Sequence, residues 1–155
     1  MSVNFNRKRA VDYAHQFCMS LNPRYPNWID EDGDCTNFVS QCWADAGIPI
    51  TGYWYCKSKI GGDFTGTWTD VDQFATYMTE QGYCSISNNL DDAELGDVVQ
   101  LYNSEHGWHH SVIITRIDQG YLGKKLYFSG HNNARYDEPL SNVSEIKRLL
   151  RVYAF

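Results

Sequence analysis

The hydrophobic pattern of this chain changes period once, after Gly82, and that change leaves few folds open to it. Before it, apolar residues recur at helical spacing. Residues 6–20 carry Ala10, Val11, Ala14, Phe17, Cys18 and Leu21 as one stripe. The segment Asn22-Pro23-Arg24-Tyr25-Pro26 then ends the helix, because proline cannot continue the hydrogen-bond ladder. A second helix is predicted from Cys35 to about Ala46, with Phe38, Val39, Cys42, Trp43 and Ala46 buried and Gly47 closing it. A third is predicted over Asp70 to Gln81, between Thr69 as N-cap and Gly82 as C-cap. Residues 51–67, rich in Gly, Thr and aromatics, read as a loop. Beyond Gly82 the period is that of strands, at Asp97–Tyr102, His110–Ile117, Lys124–Gly130 and Arg148–Tyr153. Helices followed by consecutive strands predict an α+β fold, N-terminal helices packed on an antiparallel sheet. With 155 residues, no internal repeat and no linker, the expectation is one domain over 1–155.

Charge and composition exclude several classes. A net charge of -6 argues against a non-specific nucleic-acid binder, which carries a basic face. The short run Arg7-Lys8-Arg9 reads as a solvated helix start. The chain turns polar soon after Met1, and no apolar stretch approaches the ~18 residues of a membrane span. The expectation is therefore no membrane partner and a monomer that is cytoplasmic as made, or delivered to the cell wall by another route. The five cysteines, at 18, 35, 42, 56 and 84, are odd in number. Cys35 and Cys42 lie roughly 10 Å apart along one helix, beyond disulfide reach. A reducing compartment fits this usage.

Chemistry concentrates at Asp34-Cys35-Thr36-Asn37-Phe38-Val39-Ser40-Gln41-Cys42. The unpaired N–H groups of a helix start favour thiolate over thiol. Polar neighbours set Cys35 apart from the apolar stripe, where Cys42 is the structural cysteine. A carboxylate at Asp34 would raise the thiol pKa unless it turned away to cap the helix, the role expected of it. Far along the chain, His110 opens the strand Ser111-Val112-Ile113-Ile114-Thr115. Alternation lets only one of His109 and His110 face the cysteine helix. His110 shares a face with Val112 and Ile114 and is chosen as base, with His106 left to a loop. The cluster His106-Gly107-Trp108-His109-His110 lacks the spacing of a helical zinc site, so no metal or other cofactor is expected. A distant cysteine and histidine of this kind are the parts of a cysteine amidase or peptidase.

A third group follows from pairing geometry. If the strand ending at Ile117 turns through Asp118–Gly123 and resumes at Lys124, His131 lies opposite His110 and could hold its ring in the working tautomer. A slip of one residue would substitute Asn132.

The Cys35 segment, preceded by Asn22-Pro23-Arg24-Tyr25, resembles the bacterial putative amidase domain family. So do Trp68-Thr69, Leu95-Gly96-Asp97-Val98-Val99, His110 to Thr115 and Ser129-Gly130-His131-Asn132-Asn133, in the same order, from about residue 6 to 153. That family looks like a branch of the papain-like superfamily that also holds the NlpC-type and CHAP cell-wall amidases. The resemblance implies a papain-like fold, Cys35 as nucleophile, His110 as base and a polar third residue at or near His131. Papain-type enzymes carry an oxyanion-binding Gln shortly before the nucleophile. Ile29-Asp30-Glu31-Asp32-Gly33 has none. Tyr25 is the substitute candidate donor, beside the Cys35 backbone N–H.

The expected reaction is thiol-dependent hydrolysis of an amide bond, with peptidoglycan peptides as substrate. Trp54, Trp68 and Trp108 are candidates to line the cleft. Acyl transfer by the same pair, a non-catalytic binding module, and a zinc protein using the histidines with Cys84 or Cys56 are the rivals.

Overall fold

The computed structural model describes residues 4–28, 31–58 and 62–153. Chain order is α1 (Arg7–Phe17), α2 (Asp34–Asp45), β1 (Cys56–Ser58), β2 (Asp63–Phe64), α3 (Gly66–Thr69), α4 (Val71–Glu80), β3 (Cys84–Ser87), β4 (Val98–Asn103), β5 (Gly107–Gly120), β6 (Gly123–Gly130), β7 (Arg135–Pro139) and β8 (Ile146–Val152). Single 3-10 turns lie at Leu90–Asp92 and Leu140–Asn142. β1 and β2 form a small hairpin, and the other six strands form an antiparallel sheet in the order β3-β8-β4-β5-β6-β7. The predicted α+β class is the one observed.

Caps and periodicity explain the helices. Asn6 Oδ1 accepts from Arg9 N–H at 3.0 Å and starts α1, which buries Ala10, Val11, Tyr13 and Ala14. Asp70, not Thr69, caps α4, accepting from Gln73 N–H at 2.9 Å. Gly47, just past α2, has φ 123°, where an added Cβ would meet the Asn4 carbonyl oxygen at 2.5 Å. Glycine alone fits that turn.

The sheet separates two apolar clusters. On one face the helices deliver Ala10, Ala14, Phe38, Trp43, Phe74 and Met78 onto Val98, Ile113, Leu150 and Val152. The indole N–H of Trp43 reaches the Gly96 carbonyl at 2.8 Å, so this buried ring leaves no donor unmet. On the other face Val99, Leu101, Val112, Ile114, Leu126, Phe128 and Leu149 pack beneath Ala93 and Leu140.

Several boundaries differ from expectation. The stretch expected as a loop over 51–67 contains β1, β2 and the first half of α3, with residues 59–61 outside the described ones. β3 and β7 were not anticipated; both are outer strands of the sheet, where one neighbour rather than two writes the pattern. The β5–β6 turn is tighter than assumed, with Gly120 opposite Gly123. The register then shifts between Ile114 and Arg116, so that Ile113 faces Ser129. Continued past the end of β6, that register sets His131 opposite Ser111, so the expected His110–His131 opposition is not formed.

Candidate active site

The site starts at a glycine. Gly33 has φ 92°, and an added Cβ there would meet the Thr69 carbonyl oxygen at 3.1 Å. Its own carbonyl accepts from Asn37 N–H at 2.8 Å as the first bond of α2. The N-cap is therefore backbone, with no side-chain capping bond. Asp34 does not cap α2, contrary to expectation. Its carboxylate turns inward, 1% exposed, accepting from Asn37 Nδ2 at 3.2 Å and from the His131 ring at Nδ1, 3.1 Å away. The acidic loop before it includes Asp30, which lies outside the described residues.

Cys35 occupies the first turn, 3% exposed, where the N–H groups of a helix lack intrahelical acceptors. Its neighbour Thr36 ties the helix to β5: Thr36 Oγ1 and Ser111 Oγ are 3.0 Å apart across 75 positions of chain. Gln100 Nε2 donates both to Ser111 Oγ at 3.2 Å and to the Val71 carbonyl at 2.9 Å, fixing that hydroxyl from the far side. The Cys35 thiol itself meets the Ser111 backbone. Strand geometry explains how. Ile114 bonds Asp97 and Gly96 through its own N–H and C=O, on the β4 side. Alternation then aims the Ser111 N–H toward β6, which ends at Gly130.

His110 is thus the chain neighbour of the backbone group that touches the thiol. It was chosen because it shares a face with Val112 and Ile114, and that argument does not hold as given. Those two residues pack in the cluster away from the helices, while Ser111 is the residue aimed at α2. β5 also carries an extra residue at His109, since Leu101 faces His110 but Tyr102 faces Trp108. His109 Nε2 lies 2.8 Å from Glu145 Oε2, which also accepts from Asn103 Nδ2 at 3.1 Å. His106 is exposed, as expected of a loop histidine.

Burial governs the electrostatics. It pushes the Cys35 thiol above its ordinary value, opposed by hydrogen bonds from the Ser111 backbone and Thr36 and aided by the Asp34 charge. Burial, with a smaller push from His109, lowers His110 to about 4, against the pull of Glu145. At neutral pH both groups rest uncharged.

The remaining candidates are scattered. His131 is buried and has both ring nitrogens engaged, Nδ1 with Asp34 and Nε2 with the Phe17 carbonyl at 2.7 Å. No ring nitrogen is left for His110. Asn132 and Asn133, at φ 61° and 65°, turn the chain after it. With His131, Asp34 and Cys18 they line a cavity of about 100 Å³. Tyr25 stacks on Trp68 and lines a hollow with Ala44 and Asp45. Asp45 closes α2, about 15 Å of helix rise from Cys35. Trp54 and Trp68 are core residues with no exposed surface, their indole N–H groups on Ser40 and Asn37. Trp108 stays half-buried under the Arg148 guanidinium, 4.1 Å from its ring centre. Sequence reasoning passed over Thr36, Gln100 and Ser111. The available signal was polarity inside otherwise apolar strands, Gln100 after Val98-Val99 and Ser111 before Val112-Ile113-Ile114.

All five cysteines are free and buried. Among the described residues no helix is long and apolar enough to cross a membrane, and no three His, Cys, Asp or Glu side chains are grouped to hold a metal ion.

These features define an α+β fold with a buried cysteine on a helix start, whose helix is tied to the strand that carries His109 and His110. The chain belongs to the family described as "Putative amidase domain", matched over residues 4–153, and that description points to amide hydrolysis. It is 28% identical over 129 residues to "Uncharacterized protein YhbB" of Bacillus subtilis (strain 168), covering 77% of this chain and 40% of the relative. It is 26% identical over 147 residues to "Uncharacterized protein YjcM" of the same strain, covering 87% of this chain and 32% of the relative. The chain thus spans well under half of the length of each. No solved structure matches it.

Proposed function

We propose that this domain hydrolyses amide bonds with Cys35 as nucleophile and His110 as general base, acting on peptides of bacterial peptidoglycan. The observation that carries the reading is the place of Cys35 in the first turn of α2, a helix held at Ser111 by β5, the strand that bears His110. The Thr36–Ser111 bond of 3.0 Å supports it by fixing helix and strand together. The cell-wall substrate follows from the resemblance to NlpC-type and CHAP amidases.

Because thiol and imidazole rest neutral, the proton leaves sulfur as the carbon–sulfur bond forms, and His110 accepts it. The Cys35 backbone N–H, in the first turn of α2, receives the developing oxyanion. The imidazolium gives its proton to the departing amine. Water, deprotonated by the same ring, then attacks the thioester and releases the acid. Acyl transfer differs only in that an amine replaces this water.

Digestion of purified sacculi, with mass spectrometry of the released fragments, tests activity and bond choice together. Wild-type protein should release peptides carrying new amino termini or free lactyl groups, and Cys35→Ala, folded to the same thermal midpoint, should release none. Equal release by Cys35→Ala would exclude the cysteine. Loss of activity in His109→Ala with retention in His110→Ala would move the base by one residue.

A further inference from the structure

We propose that His131 is a positioning residue that acts on Cys35 through Asp34: its imidazolium neutralises the carboxylate next to the nucleophile and pins the first turn of α2. This rests on the reading of Cys35 as nucleophile. It assigns His131 to the thiol's neighbour rather than to His110.

The hydrogen-bond inventory fixes the protonation state. The Phe17 carbonyl, 2.7 Å from Nε2, can only accept, so Nε2 carries a proton. The Asp34 carboxylate, 3.1 Å from Nδ1, also accepts, so Nδ1 carries one too. Two ring protons make an imidazolium. The ring lies flat against Phe38, centres 4.2 Å apart and 20° from parallel, which leaves it no room to swing toward β5. The groups around it come from three elements. α2 gives Asp34 and Phe38; the end of α1 and the turn after it give the Phe17 carbonyl, the Ser20 backbone and the Cys18 thiol; its own loop gives the uncharged Asn132 and Asn133. Asp34 is the one carboxylate among these groups. Burial by itself would lower the His131 pKa, and the Asp34 and Phe17 bonds together raise it above its usual value.

The consequence lies one residue away. A lone carboxylate at Asp34, 1% exposed, would stand beside the sulfur and oppose its ionisation. Paired with an imidazolium it is close to neutral at that distance. The pair also joins the end of α1 to the start of α2 and to the loop after β6, so the same contact that cancels charge sets where the thiol sits.

The test uses thiol chemistry and needs no substrate. Alkylation of Cys35 by iodoacetamide, resolved by peptide mass spectrometry, is followed from neutral pH upward until the rate levels off, in wild type, His131→Gln, Asp34→Asn and the double variant. His131→Gln strands the carboxylate, so its alkylation midpoint moves up by about one unit and its neutral-pH rate falls about tenfold. Asp34→Asn in the same chain removes that charge and restores the wild-type midpoint. A wild-type rate in His131→Gln, or a double variant as slow as the single, would overturn the proposal. Where His131→Gln does not fold, the ring nitrogens of the wild-type protein provide the second measurement. ¹⁵N shifts of a doubly protonated His131 are expected at pH 7, and a neutral ring would overturn it. A wild type that is alkylated as described but releases nothing from sacculi would count against the proposed substrate and leave this assignment standing.

Discussion

At the scale of single residues, His110 makes stability depend on pH. Its pKa is about 4 in the folded protein against an ordinary 6.5, because burial disfavours the charged ring. The sign follows from linkage. As pH falls below 6.5 the unfolded chain binds a proton that the folded chain refuses until near pH 4, so folding weakens across that window. The upper figure is about 3 kcal/mol, lowered by the water that reaches a half-buried ring. His110→Gln is expected to flatten the fall in thermal midpoint between pH 6.5 and 4; parallel curves for the two proteins would mean the ring is not held neutral. The place of Cys35 at a helix start was legible from its polar neighbours and the acidic, glycine-containing turn before it. The role of Asp34 was not. Its partner His131 lies 97 positions away, and nothing local distinguishes a carboxylate that caps a helix from one that turns inward to an imidazole.

Among elements, the strand that carries the histidines shows what periodicity reveals and what it hides. The central strands β4 and β5 announced themselves, since both neighbours and both faces write apolar residues into them. Their register did not, because it depends on two irregularities, one at His109 and one at Thr115. The second has a visible cause. Thr115 Oγ1 lies 2.7 Å from Ser129 Oγ and donates to Asp137 Oδ1 at 2.6 Å, while Asp137 N–H reaches Ser129 Oγ at 3.1 Å and His15 Nε2 lies 2.8 Å from the same carboxylate. This buried polar knot binds α1, β5, β6 and the outer strand β7. Thr115→Val keeps the shape and removes the hydroxyl. It should cost about 1–3 kcal/mol, because Ser129 and Asp137 are left underpaired. Amide exchange should quicken in β7 before it does in β4, and uniform quickening would show that the knot does not hold β7 in particular.

Across the whole molecule, the helical layer is fastened to the sheet by charge as well as by apolar burial. Asp97 stands at the junction, fully buried, where the Leu-Gly-Asp segment enters β4. It accepts from Arg7 Nη1 at 2.8 Å, from Glu94 N–H at 2.9 Å and from Val152 N–H at 3.0 Å. Arg7 extends the tie to the Leu95 and Val152 carbonyls, at 2.9 and 2.7 Å. One side chain at the start of α1 thereby holds the entry to β4 and the exit from β8. Burial nevertheless keeps the Asp97 pKa above its usual value despite Arg7, so the carboxylate is costly to ionise here and its worth lies in the donors it satisfies. Asp97→Ala should therefore cost about 3–5 kcal/mol in urea unfolding, since it leaves two buried N–H groups unpaired and the guanidinium with Glu94, 3.3 Å away, as its one carboxylate partner. Arg7→Met in the same chain removes that charge, and the double variant should lose less than the two single losses added. Additive losses would mean that helix and strands are held by the apolar cluster alone. Because α1 ends at the Phe17 carbonyl that His131 engages, the coupled loss should also reach the end of the molecule that holds Asp34 and His131. The Asp97→Ala protein, at a temperature where it is still folded, should alkylate Cys18 faster than wild type, as the cavity that it borders with Asp34 and His131 loosens; an unchanged rate would confine the damage to the opposite end of α1.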